Sequence, residues 1–343
     1  PFIDAKPGIN RSGGFNALNN NKLSCTINIS DPQGLNLAHR IISISDIMVE
    51  NYSVGIMESL GLGYEAVRQI RPDIIYLSLT AFGNSGPMKD FRGFHSTVNL
   101  FSGMASITGY PEGYPRILGG TLPDFLAGNY SVLAILQALY YRLRSGTGQF
   151  IDVSMVDSLI TTFPQSIIDY SLNGREANRI GNRDQSKAPH DVFRCAGNDQ
   201  WIAISVNNDR DWSALCKAMG HPEWIVDPRF ADNLSRWHNQ DALKPMIESW
   251  TMQLDPIKTA WQLQSKGITA APTLSAGQLL EDPHMLKRGF VRSVNHPMSG
   301  NRPLATTGWT TLENTPPDVK HAPLFGQHNS WVFKDLLGMS EKE

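Results

Sequence analysis

Strands alternating with helices over the first ninety residues constrain this chain more than any other feature of its sequence. Residues 22–30 (KLSCTINIS) read as a strand, 46–50 (DIMVE) as a second and 73–79 (DIIYLSL) as a third. Between the first two, Asp31 offers a helix N-cap and Pro32 suits the first helical position. Leu35, Leu37, Ala38, Ile41 and Ile42 then give a mostly apolar helix, and residues 55–70 also read as helical. Strands joined by helices pair in parallel, and such a sheet is covered on both faces. Ligands of parallel sheets bind beyond the carboxyl ends of the strands. Here those ends are residues 27–30, 51–53 and 81–83.

Beyond them, residues 82–93 form a loop rich in Gly and Pro, with a helix from about Ser96 and a turn at Gly109-Tyr110-Pro111. Residues 116–124 (RILGGTLPD) lead into a strongly helical segment, 125–143, ended by Ser145-Gly146. Residues 149–154 (QFIDVS) read as another strand. Near Pro189 the pattern changes to a hairpin, 191–195 with 200–206, followed by short Trp-containing helices up to Gly267. Residues 290–294 are one more strand candidate, and 330–337 a closing apolar helix. A length of 343 residues favours two domains over one. The expected layout is a large domain over 1–188, completed by 296–343, and a smaller α+β domain over 189–295.

Composition removes several function classes. With 30 basic and 32 acidic residues, the formal charge is −2, a poor match for a nucleic-acid partner. No run of about 18 apolar residues exists to span a membrane; the most apolar stretch, 131–143, is interrupted by Gln137 and Arg142. Three cysteines without a CxxC pair suggest reduced thiols and a cytoplasmic address. Nine histidines in no metal-ligand spacing predict no metal, and neither a phosphate-binding GxxxxGK[ST] nor a GxSxG nucleophile is present. Gly61-Leu62-Gly63-Tyr64-Glu65-Ala66 fits the dinucleotide pattern G-x-G-x-x-A. What precedes it is helical rather than a strand, so it reads as a corner between helices and not a pyrophosphate turn.

Asp124 is the carboxylate with two readings. As an N-cap or first-turn acid it is held by backbone N–H groups and the helix dipole. As an ionised, largely desolvated nucleophile it could attack an activated acyl group, with Gly119 and Gly120 admitting a thioester close to backbone N–H donors. Composition does not separate the two.

The ordered set NKLSCTINISDPQG (21–34), SDIMVENYSVGIMESLGLGYEAV (45–67), RPDIIYLSLTAFGNSGP (71–87), PDFLAG (123–128), RSGTGQFIDVSMVDSL (144–159) and APLFGQHN (322–329) resembles the family III coenzyme A transferases. That family includes formyl-CoA, carnitine and bile-acid CoA transferases, with the α-methylacyl-CoA racemases as relatives. The resemblance implies a Rossmann-like large domain built from both chain ends, a small middle domain, and two subunits interlocked as a homodimer. It implies Asp124 as the catalytic aspartate. Residues expected at CoA are Ile27, Asn28, Ile29 and Ser30; Asn51, Tyr52 and Ser53; and Arg92, Gly93, Phe94 and His95. The substrates implied are an acyl-CoA and a small carboxylic acid, with no permanently bound cofactor. Family members usually begin with a further strand–helix–strand unit, which is expected to be missing here. Ser30 and Ser59 stand where some members carry a basic residue, and the glycine-rich loop of formyl-CoA transferase has no clear counterpart.

Two other readings follow from the same resemblance. The racemases use a Gly-His-Asp run with an aspartate, whereas this chain has Gly93-Phe94-His95, the histidine one position late. A CoA-binding fragment without activity is the reading from another class.

Overall fold

Apolar runs at 47–50, 75–80 and 150–154 form one parallel sheet, with β1 (Ile47–Glu50), β2 (Ile75–Thr80) and β3 (Phe150–Ser154) in that spatial order. The computed structural model describes residues 2, 5–306, 308, 309 and 319–340; the expected domain ranges include a few positions outside these. Chain contacts divide the molecule into two units. One comprises Pro1–Arg92, Phe125–Met155 and Ser275–Glu343; the other comprises Gly93–Asp124 and Val156–Leu274.

In the first unit, β2 is buried along nearly its whole length. Ile74, Tyr76 and Val67 join Ile42, Met57 and Leu62 in an apolar cluster, against which Ile29, Leu35 and Met48 pack. The helix Pro32–Ser43 starts as the sequence suggests, with the Asp31 carboxylate accepting from the Gln33 N–H at 2.8 Å. Gly34 lets this helix press onto the preceding loop: a Cβ there would lie 2.0 Å from the Asn28 carbonyl oxygen. Residues 55–70 are two helices, Ile56–Ser59 and Tyr64–Ile70, broken where Gly61 takes φ +73°. The G-x-G-x-x-A run is therefore a helix–helix corner.

Residues 22–30 are not a strand, which corrects the expectation. Two of their backbone N–H groups, those of Ser24 and Thr26, are met by side chains from the other end of the sequence. Ser24 N–H donates to His328 Nδ1 (3.1 Å) and Thr26 N–H to Asn329 Oδ1 (2.9 Å), while Asn329 Nδ2 donates to Thr26 Oγ1 (2.7 Å). Gly326 N–H donates to Ser24 Oγ (3.0 Å). At the amino edge of the sheet, Arg142 donates to the carbonyls of Asp46 (3.1 Å) and Asp73 (3.3 Å) and pairs with the Asp46 carboxylate (3.0 Å). The strands β7 (Val291–His296) and β8 (Gly300–Ala305) complete this unit as an antiparallel hairpin, and Trp331–Leu336 is a π-helical turn.

The second unit carries an antiparallel sheet of β4 (His190–Arg194), β5 (Trp201–Ser205) and β6 (Thr269–Pro272). The expected hairpin is its first pair. Phe193, Ile202, Ile204, Trp212, Phe230 and Leu263 fill its core. Within it, Arg236 is fully buried and donates to Ala188 O (2.9 Å), Phe230 O (3.1 Å) and the Asp209 carboxylate (2.7 Å). A buried guanidinium needs such partners to offset its desolvation.

Candidate active site

At the carboxyl edge of the parallel sheet, short polar side chains fix the loops that leave β1 and β2. Asn51 follows β1 directly, and its Nδ2 donates to the Leu79 carbonyl of β2. Tyr52 N–H donates to Glu50 Oε2 (2.8 Å), which leaves the ring exposed. Ser53 is exposed beside it. Asn84 completes this edge. Its N–H lies 3.0 Å from both Asp152 oxygens, and its Nδ2 donates to Asp152 Oδ1 (2.9 Å) and Ser78 Oγ (3.0 Å). Gly83, with φ +86°, makes the turn into this clasp. Sequence reasoning missed Asn84 and Asp152. The signal was an acid inside the strand FIDVS, where an unpartnered charge would be costly.

Ile27, Asn28, Ile29 and Ser30 lie in the loop against which Gly34 packs. Ile29 is turned to the apolar cluster that also holds Met48 of β1, whereas Asn28 and Ser30 are exposed. Asn28 Oδ1 accepts from Ser30 N–H (3.3 Å). Two of the three predicted segments, 27–30 and 51–53, thus belong to one unit. Arg92 closes that unit's first stretch; it is exposed and has no ion pair among the described residues.

Gly93, Phe94, His95 and Asp124 belong to the second unit. Phe94 precedes the helix His95–Phe101, its N–H donating to Thr97 Oγ1 (2.9 Å) and its ring 78 % exposed. The His95 carbonyl accepts from Asn99 Nδ2 (2.9 Å), and Asn99 is fully buried. The helix expected from residue 125 starts earlier, as Leu122–Ser145. Asp124 is therefore a first-turn acid rather than an N-cap. In the single chain its side chain is exposed, not desolvated as the nucleophile reading expected. Gly120 (φ +72°) and Gly119 before it have open space where a Cβ would stand.

The thiols offer no rival nucleophile. Burial pushes Cys195 up to about 11 and Cys216 up to about 12, so neither is a thiolate near neutrality. Cys25 is also raised, again by burial. All three are free. Among the described residues no cluster of His, Cys, Asp and Glu could hold a metal ion, and no helix is long and apolar enough to cross a membrane.

The fold is that of a crystal structure of a CAIB/BAIF family protein from Brucella suis, with a TM-score of 0.88 and 28 % identity, covering 98 % of this chain and 87 % of that one. Residues 3–329 match the family model for CoA-transferase family III. The chain is 33 % identical over 324 residues to the succinyl-CoA–D-citramalate CoA-transferase of Chloroflexus aurantiacus, covering 94 % of this chain and 80 % of that protein. It is 30 % identical over 341 residues to the succinyl-CoA:glutarate CoA-transferase of Mus musculus, covering 99 % and 77 %. This chain belongs to CoA-transferase family III. Its activity class is transfer of CoA between an acyl-CoA and a carboxylate.

Proposed function

We propose that the protein moves CoA from an acyl-CoA donor to a free carboxylic acid through covalent intermediates on Asp124. The observation that carries this reading is the placement of Asp124. It stands in the first turn of a 24-residue helix, behind two unobstructed glycines, with its carboxylate accessible. An Asp124 oxygen attacks the thioester carbonyl, the C–S bond breaks, and a mixed anhydride and CoA thiolate form. The thiolate attacks the aspartyl carbonyl and releases the donor acid, leaving an aspartyl-CoA thioester. The acceptor carboxylate attacks that thioester, forming a second anhydride and freeing CoA thiolate. Thiolate attack on the new acyl group then restores Asp124. Every intermediate is an activated acyl group, so the thioester energy is conserved.

The CoA contacts in this reading are Ile27, Asn28, Ile29, Ser30, Asn51, Tyr52, Ser53, Arg92, Gly93, Phe94 and His95. Arg92 supplies charge to a phosphate, and Tyr52 and Phe94 present exposed rings to the nucleotide or pantetheine. Both relatives carry succinyl-CoA in their names, which makes succinyl-CoA the first donor to assay. The domain reading, a Rossmann-like large domain from both chain ends with a small middle domain, belongs to the same proposal. So does a homodimer. Phe125, Val132, Leu136, Tyr140 and Leu143 are all exposed and recur every three to seven residues, an apolar stripe on one helix face. A second copy of this chain would cover it. The three free thiols fit a reducing, cytoplasmic setting.

The test is Asp124→Asn. Folding should survive, and transfer should fall by several orders of magnitude, because a neutral amide cannot form the anhydride. Wild-type protein incubated with succinyl-CoA alone should carry a hydroxylamine-labile mass adduct on the peptide containing Asp124. Turnover by the Asn variant, with deamidation excluded by mass, overturns the assignment.

A further inference from the structure

A cavity of about 210 Å³ lies in the first unit, where the β7–β8 hairpin meets the helix Gly13–Leu18 and residues 321–322. None of its lining residues belongs to the site described above. His296 is 4 % exposed. Its Nδ1 accepts from the N–H groups of Met298 (3.0 Å) and Ser299 (3.1 Å). That occupies the Nδ1 lone pair and places the ring proton of the neutral form on Nε2. Nε2 is buried and has no protein partner among the described residues. Its neighbouring acceptor, the Ala322 carbonyl, lies outside hydrogen-bond geometry and is already taken by His321. Asn16, 8 % exposed, presents the complementary defect: its Nδ2 donates to Asn10 O (3.1 Å), and its buried Oδ1 accepts from nothing among the described residues. Unmet polar groups of this kind are individually costly and rare.

Arg302 brings a positive charge to the same cavity. Its Nε–H donates to Ser299 O (2.9 Å), and no carboxylate pairs with its guanidinium among the described residues. His321 is fixed as well, with Nδ1 donating to Ala322 O (2.6 Å) and its ring edge-on to His296 at 5.2 Å. Val294 and Leu304 supply apolar wall. The cavity thus asks for an anionic acceptor, one hydroxyl-type donor and a short hydrocarbon body. We propose that it is a binding site for a short-chain hydroxycarboxylate. The carboxylate lies on Arg302 and His296 Nε2–H, the hydroxyl on Asn16 Oδ1, and the carbon chain on Val294 and Leu304. Burial and the neighbouring His321 hold His296 below its usual protonation range, which keeps Nδ1 free to accept and Nε2 as the donor.

The probe is 3-hydroxybutyrate, titrated into the full chain with butyrate and 1,3-butanediol as comparisons and binding followed by ligand NMR. Saturable binding of 3-hydroxybutyrate should weaken at least about tenfold in Arg302→Gln, the scale of one lost charge-assisted contact. Butyrate should bind several-fold more weakly than the hydroxy acid, and the uncharged diol should not compete. The ring-nitrogen resonances of His296, assigned from a His296→Gln variant, should shift on binding. Saturating CoA and Asp124→Asn should leave the titration unchanged, which separates this site from any acceptor site used in transfer. Equal binding by Arg302→Gln, competition by the diol, displacement by CoA, or no saturable binding at millimolar concentration would each overturn the proposal.

Discussion

Replacing Gly34 by Ala sets two opposite effects against each other at one atom. Gly34 is the third residue of the helix Pro32–Ser43, and Ala is preferred to Gly inside a helix by about 1 kcal/mol. Its backbone is not in the left-handed region, so Ala meets no dihedral strain. The new Cβ, however, would stand 2.0 Å from the Asn28 oxygen and 2.8 Å from its carbon, both backbone atoms. Ordinary contact is reached only after the helix and residue 28 part by more than about 1 Å. The same Asn28 carbonyl accepts from Asp31 N–H (3.1 Å), so the movement also loosens the turn that starts the helix. Overpacking of this kind costs about 1–3 kcal/mol and sometimes more, and the clash should outweigh the propensity gain. Gly34→Ala should lower the urea midpoint with an unchanged slope. Because residues 27–30 are proposed CoA contacts, it should also raise the acyl-CoA KM. Gly148→Ala, whose Cβ would meet Ile74 O at 2.0 Å, should lose stability similarly. A Gly34→Ala variant as stable as wild type, with the same KM, would refute the packing argument and the placement of 27–30 at the nucleotide together.

Asn329→Ala removes both hydrogen bonds to Thr26 and should cost about 1–3 kcal/mol; thiol labelling of the adjacent Cys25 should quicken, while Cys195 and Cys216 stay slow. Arg236→Ala strands two carbonyls and empties a fully buried volume, so a loss of roughly 3–5 kcal/mol is expected in denaturant melts. His296 titrates below its unfolded value because burial and His321 disfavour its charge. The unfolded chain therefore takes up that proton first, and stability should fall as pH drops below about 6.5, by at most about 1.4 kcal/mol per unit. The Ala322 carbonyl beside the ring opposes the shift without reversing it. Denaturant midpoints of wild type and His296→Gln between pH 7.5 and 5.5 should diverge accordingly; parallel curves would remove His296 as the source.

The sequence made β1, β2 and β3 legible because each is an apolar run between helix and turn signals, and tertiary packing rewards the same pattern. The run at 22–30 carries the same signal, yet its Ser24 and Thr26 N–H groups meet His328 and Asn329, some 300 positions away. A strand and a side-chain-clamped loop differ only in who supplies the acceptors, which local pattern does not encode. The missed strands have local reasons too. β6 is the four residues TAAP, and β8 contains both Gly300 and Pro303, residues that weaken a strand reading. The corner at Gly61-Leu62-Gly63 was legible from what precedes it. The Asn84–Asp152 clasp was legible only in half: an acid in a strand asks for a partner, but the partner lies 68 positions away.

Asp124 and the uncovered apolar stripe share one helix, Leu122–Ser145, and in the proposed reaction that sharing has a chemical consequence. An anhydride on Asp124 must meet CoA thiolate before it meets water, so the carboxylate needs a dry setting at the moment of reaction. The single chain leaves it exposed. Covering Val132, Leu136, Tyr140 and Leu143 with a second copy would remove apolar area from water at roughly 25 cal/mol per Å², and it would rigidify the element on which the carboxylate stands. Arg142, near the other end of that helix, is already tied to Asp46 and Asp73. Association of two copies and positioning of the nucleophile thus draw on the same helix, and in this reading a substitution that exposes the stripe acts on catalysis without touching substrate.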